Sequence, residues 1–323
     1  MKLARYLGQG RIGIVDESEP SLPAGGLVVQ TEACGLCSGE LMAWYLDRKI
    51  PHVLGHEVAG RVVESDDDRF PVGARVFVHH HAPCGTCALC QRGAYVHCPV
   101  WKATKLQPGG MAERFAAAAE NLADTLRIDH LRPEDGALIE PLACVAKSLR
   151  KLNYQAGESA AVIGLGVMGL MHALLMPGCV AYDLNPARVE WARAQGVDAH
   201  PLDPQTPPDA MSREVVVVCP GNKAALDLSL HLVAPEGRVC LFAPLPPGEV
   251  PFDFERAYFR DITVVNAYSC GPNDTRVALA WLEAGRVRAE QVVSHFIELE
   301  ALPEHYLRMR DGEIVKAMVQ FRA

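Results

Sequence analysis

Two textures of apolar patterning divide the chain. Up to about residue 145, short apolar runs such as Leu27-Val28-Val29-Gln30 and the stretch from Glu57 to Glu64 are punctuated by Gly and Pro. That pattern predicts a β-rich domain of short strands. From about Lys147 to Tyr268 the apolar runs become continuous, at 160–163, 180–182, 215–218 and 238–242, and alternate with helix-like segments. Strands without a polar face are buried on both sides, so this stretch predicts a parallel sheet covered by helices. A helix-like segment at 274–284 and two β-like pieces, the last ending at Val319-Gln320-Phe321, are expected to return to the first domain. The expected class is α/β, with a parallel-sheet domain inserted in a β-rich one and boundaries at 1–146, 147–272 and 273–323. A chain of 323 residues is long enough for two cores.

The run Gly164-Leu165-Gly166-Val167-Met168-Gly169 follows the strand at 160–163 and opens an apolar helix that Pro177-Gly178 stops. In that context Gly164 permits the tight turn, and Gly166 lets the backbone approach a pyrophosphate at the helix N-terminus. Gly169 lets helix and strand pack closely, so the segment reads as a doubly wound (Rossmann) dinucleotide site. Asp183, ending the next strand, is placed to accept hydrogen bonds from the adenosine ribose and to repel a 2′-phosphate, which favours NAD over NADP. Arg188 close by keeps NADP as the alternative. The helix is short, which reads as trimmed.

Cysteine usage changes the picture further. Cys84, Cys87, Cys90 and Cys98 follow C-x2-C-x2-C-x7-C, the spacing of a closed thiolate cage for one tetrahedral zinc. With four sulfurs and no open position, such a site holds a loop, here a lobe expected to lack helix or strand of its own. Cys34, Cys144, Cys179, Cys219, Cys240 and Cys270 sit among apolar neighbours and read as buried small hydrophobes. Net charge is -8, with both signs dispersed, which offers no basic stripe for nucleic acid and no polybasic segment for a membrane surface. No apolar stretch approaches a membrane span and the N-terminus opens directly into a strand-like run, so a cytoplasmic protein acting on a small molecule is expected. In His79-His80-His81, adjacent residues of a strand point to opposite faces, so the three read as packing rather than as ligands of one ion. His172 reads the same way, and Trp44, Tyr45 and Trp101 as packing or as pocket walls.

Cys37, the pair His56-Glu57, and Glu140 form a dispersed constellation that is weak by itself. Yet Cys34-Gly-Leu-Cys37, Gly55-His56-Glu57-Val-Ala-Gly60, the cysteine cage, Gly109-Gly110-Met-Ala-Glu113, Glu140-Pro-Leu-Ala-Cys144 and the glycine run come in an informative order. In that order they resemble the zinc-dependent medium-chain dehydrogenases of the alcohol dehydrogenase superfamily, and most of all the polyol (sorbitol or iditol) and threonine dehydrogenase branch. The resemblance covers nearly the whole chain and implies a GroES-like catalytic domain, an inserted Rossmann domain, one catalytic and one structural zinc, and a homodimer or homotetramer. It implies Cys37 and His56 as zinc ligands, Glu57 as the adjacent carboxylate, and Glu140 as an acid that reaches the zinc directly or through water. Cys34 falls on a position that is not a ligand. The implied activity is transfer of hydride between a secondary alcohol, polyol-like or related, and NAD. The alternatives are a ketone or aldehyde reductase using NADP(H), and a non-catalytic homologue that keeps metals and nucleotide.

The chain departs from the family where a hydroxyl and a histidine carry the alcohol's proton to solvent. Those positions hold Gly39 and Met42, and Glu40 stands for an aspartate. Ser38, Glu140 or a chain of waters is left to move the proton, and Glu40 is expected to support the metal ligands from behind.

Overall fold

The computed structural model describes residues 1–322, which form two compact units: Met1–Ala143 together with the segment from Ser269, and Cys144–Tyr268 between them in sequence. The second unit is built on six parallel strands. In spatial order these are Asp198–Pro201, Val180–Asp183, Ala160–Ile163, Arg213–Val218, Val233–Leu241 and Thr263–Asn266. Counted along the chain this is the order 3-2-1-4-5-6 of the dinucleotide-binding fold, whose direction of winding reverses beside the strand at Ala160. Val215, Val216 and Val217 are fully buried, as continuous apolar runs require. Asn185 and Asn222 begin the helices Pro186–Ala194 and Lys223–Leu232 by accepting from the amides of Ala187 and Ala225, each at 2.9 Å. The two outermost strands have mixed polarity because each has an open edge. That is why the apolar pattern reveals only the four inner ones.

In the other unit, strand Leu27–Gly35 is the hub. It pairs antiparallel with Glu57–Ser65, Arg114–Ala117 and Ala317–Gln320. The last of these pairs parallel with His295–Ile297, so the segment after Ser269 completes the sheet begun by the first part of the chain. Leu27, Val29, Val58, Val62 and Phe115 from these strands share one buried core with Tyr306 of helix Leu302–Arg310. The cysteine lobe differs from expectation, because it carries one-turn helices at Ala88–Gln91 and Pro99–Ala103. Its four sulfurs pack with Trp101 and Val96 in a small core of their own. Cys144 and Cys219 also depart from expectation: they are half-buried, whereas Cys34, Cys179, Cys240 and Cys270 are buried. Among the described residues no helix is long and apolar enough to cross a membrane.

Candidate metal centres and dinucleotide cradle

None of the eleven cysteines is in a disulfide. The sulfurs of Cys84, Cys87, Cys90 and Cys98 lie within 4.8 Å of one another. Neighbouring pairs stand at 3.5 Å (Cys87–Cys90), 3.6 Å (Cys84–Cys98) and 3.9 Å (Cys84–Cys90). Four sulfurs at the usual Zn–S length form a tetrahedron with edges of about 3.8 Å, so the set fits zinc and is far too open for disulfides. The Thr86 hydroxyl and the backbone amides of Thr86 and Cys87 bring the Cys84 thiol down to about 6, toward the thiolate a metal needs.

Cys37, His56 and Glu57 converge in the same unit, their donor atoms also within 4.8 Å of one another. Local structure explains each placement. Cys37 caps the turn Ser38–Leu41, and its sulfur accepts from the Gly39 amide at 3.3 Å. His56 follows Gly55, whose positive φ of 93° and contact with the Met111 amide leave no room for a side chain. Glu57 opens the strand opposite Gly35, and a Cβ at Gly35 would lie 2.2 Å from Glu57 Oε2. The missing side chain is the space that lets this carboxylate lie buried.

Two groups hold the trio from behind. Glu40, only 3% exposed, accepts from the Gly55 amide at 2.8 Å and faces His56 Nδ1 at 3.3 Å. A carboxylate behind a histidine fixes the ring so that its other nitrogen points at a metal. Burial opposes a proton on His56, but the Cys37 sulfur and Glu40 outweigh it and raise its pKa well above the usual value. A cation in the trio would take that proton's place. Lys316, fully buried, bonds through Nζ to Glu57 Oε2 and to the Leu36 carbonyl at 3.1 Å. Sequence reasoning missed Lys316; its one signal is a lone charge within the apolar run Ile314-Val315-Lys316-Ala317-Met318-Val319.

Glu140 stands in the first turn of helix Ile139–Leu152; burial raises the Cys37 pKa, and the charges of Glu57 and Glu140 add to it in smaller part. The Glu140 carboxylate nevertheless groups with His79 and Cys270 rather than with the Cys37 set. The three histidines lie past the end of strand Arg75–Val78, so the expected alternation between faces does not hold: successive rings stand 5.1 Å and 4.2 Å apart, although among the described residues only His79 falls in a metal-ligand group. His79 faces Asp124, His80 lies 4.8 Å from the His56 ring, and His81 bonds the Thr104 carbonyl at 2.6 Å and packs on Trp101. Cys34 is fully buried outside every metal-ligand group among the described residues. Trp101 packs in the cage lobe, Trp44 is half-buried and Tyr45 lies at the surface.

In the parallel-sheet unit, Gly164 adopts φ of 87° and Gly166 begins the helix Val167–Leu175. A Cβ on Gly169 would meet the Gly164 carbonyl oxygen at 1.7 Å, whereas a Cβ on Gly166 would meet nothing within 4 Å. The open space lies where the helix's first amides are without helical partners, as a pyrophosphate requires. Asp183, at the end of the adjacent strand, accepts from the amides of Leu165 at 2.5 Å and Asn185 at 2.7 Å, with Arg188 at 3.9 Å. His172 is buried and bonded to Ser148 Oγ at 2.6 Å and the Met168 carbonyl at 2.7 Å, a packing residue.

Comparison with known proteins agrees with this architecture. Residues 23–127 match the alcohol dehydrogenase GroES-like domain family. The chain is 31% identical to the D-altritol 5-dehydrogenase of Agrobacterium fabrum over the full length of both, and 24% identical to a sorbitol dehydrogenase of Halalkalibacterium halodurans over 97% of this chain and 96% of that one. A Sinorhizobium meliloti 1021 protein solved with NADP superposes with a TM-score of 0.86 at 25% identity, covering 99% of each chain. On these grounds the chain belongs to the zinc-dependent medium-chain dehydrogenases of the alcohol dehydrogenase superfamily.

Proposed function

We propose that this protein oxidises a secondary alcohol of the polyol class to its ketone, passing the hydride to NAD, with one catalytic and one structural zinc. The observation that carries the reading is the convergence of Cys37, His56 and Glu57 in a unit whose other cysteine cluster is already closed by four sulfurs. Three protein donors leave a metal position for substrate, while four thiolates do not. Zinc supplies Lewis acidity and the nicotinamide ring accepts hydride when both are bound. The chain's own residues do the rest. Glu40 keeps His56 oriented, Lys316 holds Glu57, the Gly39 amide steadies the Cys37 sulfur, and the charge of Glu140 is felt at Cys37. With Gly39 and Met42 at the relay positions, Ser38 or a water chain takes the alcohol's proton; a Ser38→Ala enzyme with full activity would exclude Ser38.

Gly166 and the first amides of its helix cradle the pyrophosphate, with Leu165, Val167 and Met168 shaping the turn. Asp183 favours NAD by meeting the ribose hydroxyls. Arg188 is the counterweight, because its buried Nε has no hydrogen-bond partner among the described residues and could serve a 2′-phosphate. The relatives named above, which act on altritol and sorbitol, support a polyol as substrate. The edge strand Thr263–Asn266, with Tyr258, Phe259 and Tyr268 exposed beside it, supports a homodimer built by extending the sheet. Eleven cysteines with no disulfide among them support a reducing, cytoplasmic setting.

A panel of polyols and simple secondary alcohols assayed for NADH and NADPH formation, with zinc measured on the same sample, tests the reading. Oxidation of a polyol with NAD is expected, and it must fall away in Cys37→Ser. Zinc-loaded protein that turns over no alcohol in either direction would favour the non-catalytic alternative, which the missing relay side chains already suggest.

A further inference from the structure

The catalytic unit contains a second set of the same three donor types. His79 Nε2, a Glu140 carboxylate oxygen and Cys270 Sγ lie within 4.8 Å of one another, all in buried residues. Cys270 Sγ stands 3.6 Å from His79 Nε2. A thiolate and an imidazole on one tetrahedral zinc, at ordinary bond lengths, are also about 3.6 Å apart.

The far side of the ring is arranged for the same purpose. His79 Nδ1 is 2.7 Å from Asp124 Oδ2, and Asp124 is itself buried, accepting from Thr275 Oγ1 at 2.6 Å and Arg276 at 3.3 Å. A carboxylate so fixed takes the Nδ1 proton's hydrogen bond and turns the Nε2 lone pair toward Glu140 and Cys270. This is how outer carboxylates orient ligating histidines. A cation here also offsets the burial of the Glu140 carboxylate beside a thiol.

We infer that His79, Glu140 and Cys270 form a further zinc-type cation site, separate from the four-cysteine cage and from the Cys37 set. Its place in the chain suggests its use. Glu140 lies just before the point where the chain leaves this unit, after Ala143, and Cys270 just after the point where it returns, at Ser269. His79 follows strand Arg75–Val78 in the sheet of the same unit. An ion held by the three would clasp both crossing points to that sheet, a stabilising role that needs no substrate.

The test is metal content of the full chain grown and purified with zinc. His79→Ala and Cys270→Ser should each hold about one equivalent less than the parent. Cys37→Ser, which empties the proposed catalytic centre, should lose a different equivalent, so that Cys37→Ser with Cys270→Ser loses about two. Failure of the catalytic reading would show as no loss in Cys37→Ser, and failure of this one as no loss in either His79→Ala or Cys270→Ser. Should a variant not fold, anomalous diffraction at the zinc edge on the unaltered protein decides the matter. A peak among His79, Glu140 and Cys270 supports the site, and none there in zinc-loaded crystals overturns it.

Discussion

Adding one methyl group at either of two glycines, three residues apart, should produce opposite phenotypes. In Gly169→Ala the new Cβ would start 1.7 Å from the Gly164 carbonyl oxygen. An ordinary C···O contact is about 3.3 Å, so helix and turn must separate by roughly 1.6 Å. Both sides of the clash are backbone, and no flexible side chain can yield. The cost belongs at the upper end of overpacking, about 3 kcal/mol. For a unit of this size that lowers its unfolding temperature by on the order of 10 °C. In Gly166→Ala the methyl meets nothing within 4 Å and φ is already -63°. Losing glycine at an N-cap costs about 0.5–1 kcal/mol, and the stiffer unfolded chain returns a similar amount, so stability should change little. The methyl nevertheless occupies the space a pyrophosphate must approach, so affinity for the dinucleotide should fall by at least about tenfold. Urea titration followed by far-UV circular dichroism and calorimetric titration with NAD read the two effects separately. The reasoning is refuted if Gly166→Ala binds NAD as the parent does, or if Gly169→Ala unfolds at the parent's midpoint.

Three further outcomes follow from the geometry. Lys316→Met leaves the buried Glu57 carboxylate without its cation and should destabilise metal-free protein by about 3–5 kcal/mol in denaturant titration, with Glu57→Gln in the same background recovering most of it; an unchanged midpoint would refute the pairing. Burial lowers the His172 pKa to about 4. The neutral ring is the folded form, so this contribution is intact above about pH 6.5 and is lost as pH falls toward 4, up to about 3 kcal/mol; subtracting the stability profile of His172→Gln should isolate that slope. Asp183→Ser should shift the ratio of kcat/KM toward NADP by on the order of tenfold, and a ratio unchanged from the parent would remove Asp183 from cofactor choice.

The parts of the site written in short spacings were readable from the residues. The glycine run after an apolar strand, and four cysteines at C-x2-C-x2-C-x7-C, each place their groups by local geometry, because the intervening residues are too few to allow another arrangement. The fold class was readable for a related reason: continuous apolar strands alternating with helices can bury themselves in few ways. The edge strands Asp198–Pro201 and Thr263–Asn266 were not, since a half-exposed strand has no apolar signature.

Other groups are joined only by the folded sheet. Glu57 and Lys316 lie 259 positions apart and meet because Leu27–Gly35 pairs both with the strand that Glu57 opens and with the strand Ala317–Gln320 that directly follows Lys316, in a register that sets Glu57 opposite Gly35. His79 lies 45 positions from Asp124 and 191 from Cys270, and the sequence alone favoured packing for His79 and a small hydrophobe for Cys270. By itself the sequence determined the alternating architecture, the cage and the cradle, because backbone reach and hydrophobic period act over a few residues. Tertiary structure decided that Asp124 stands behind His79 and that Lys316 faces Glu57, because sheet register between distant segments places those charges, and no local pattern encodes register at that distance.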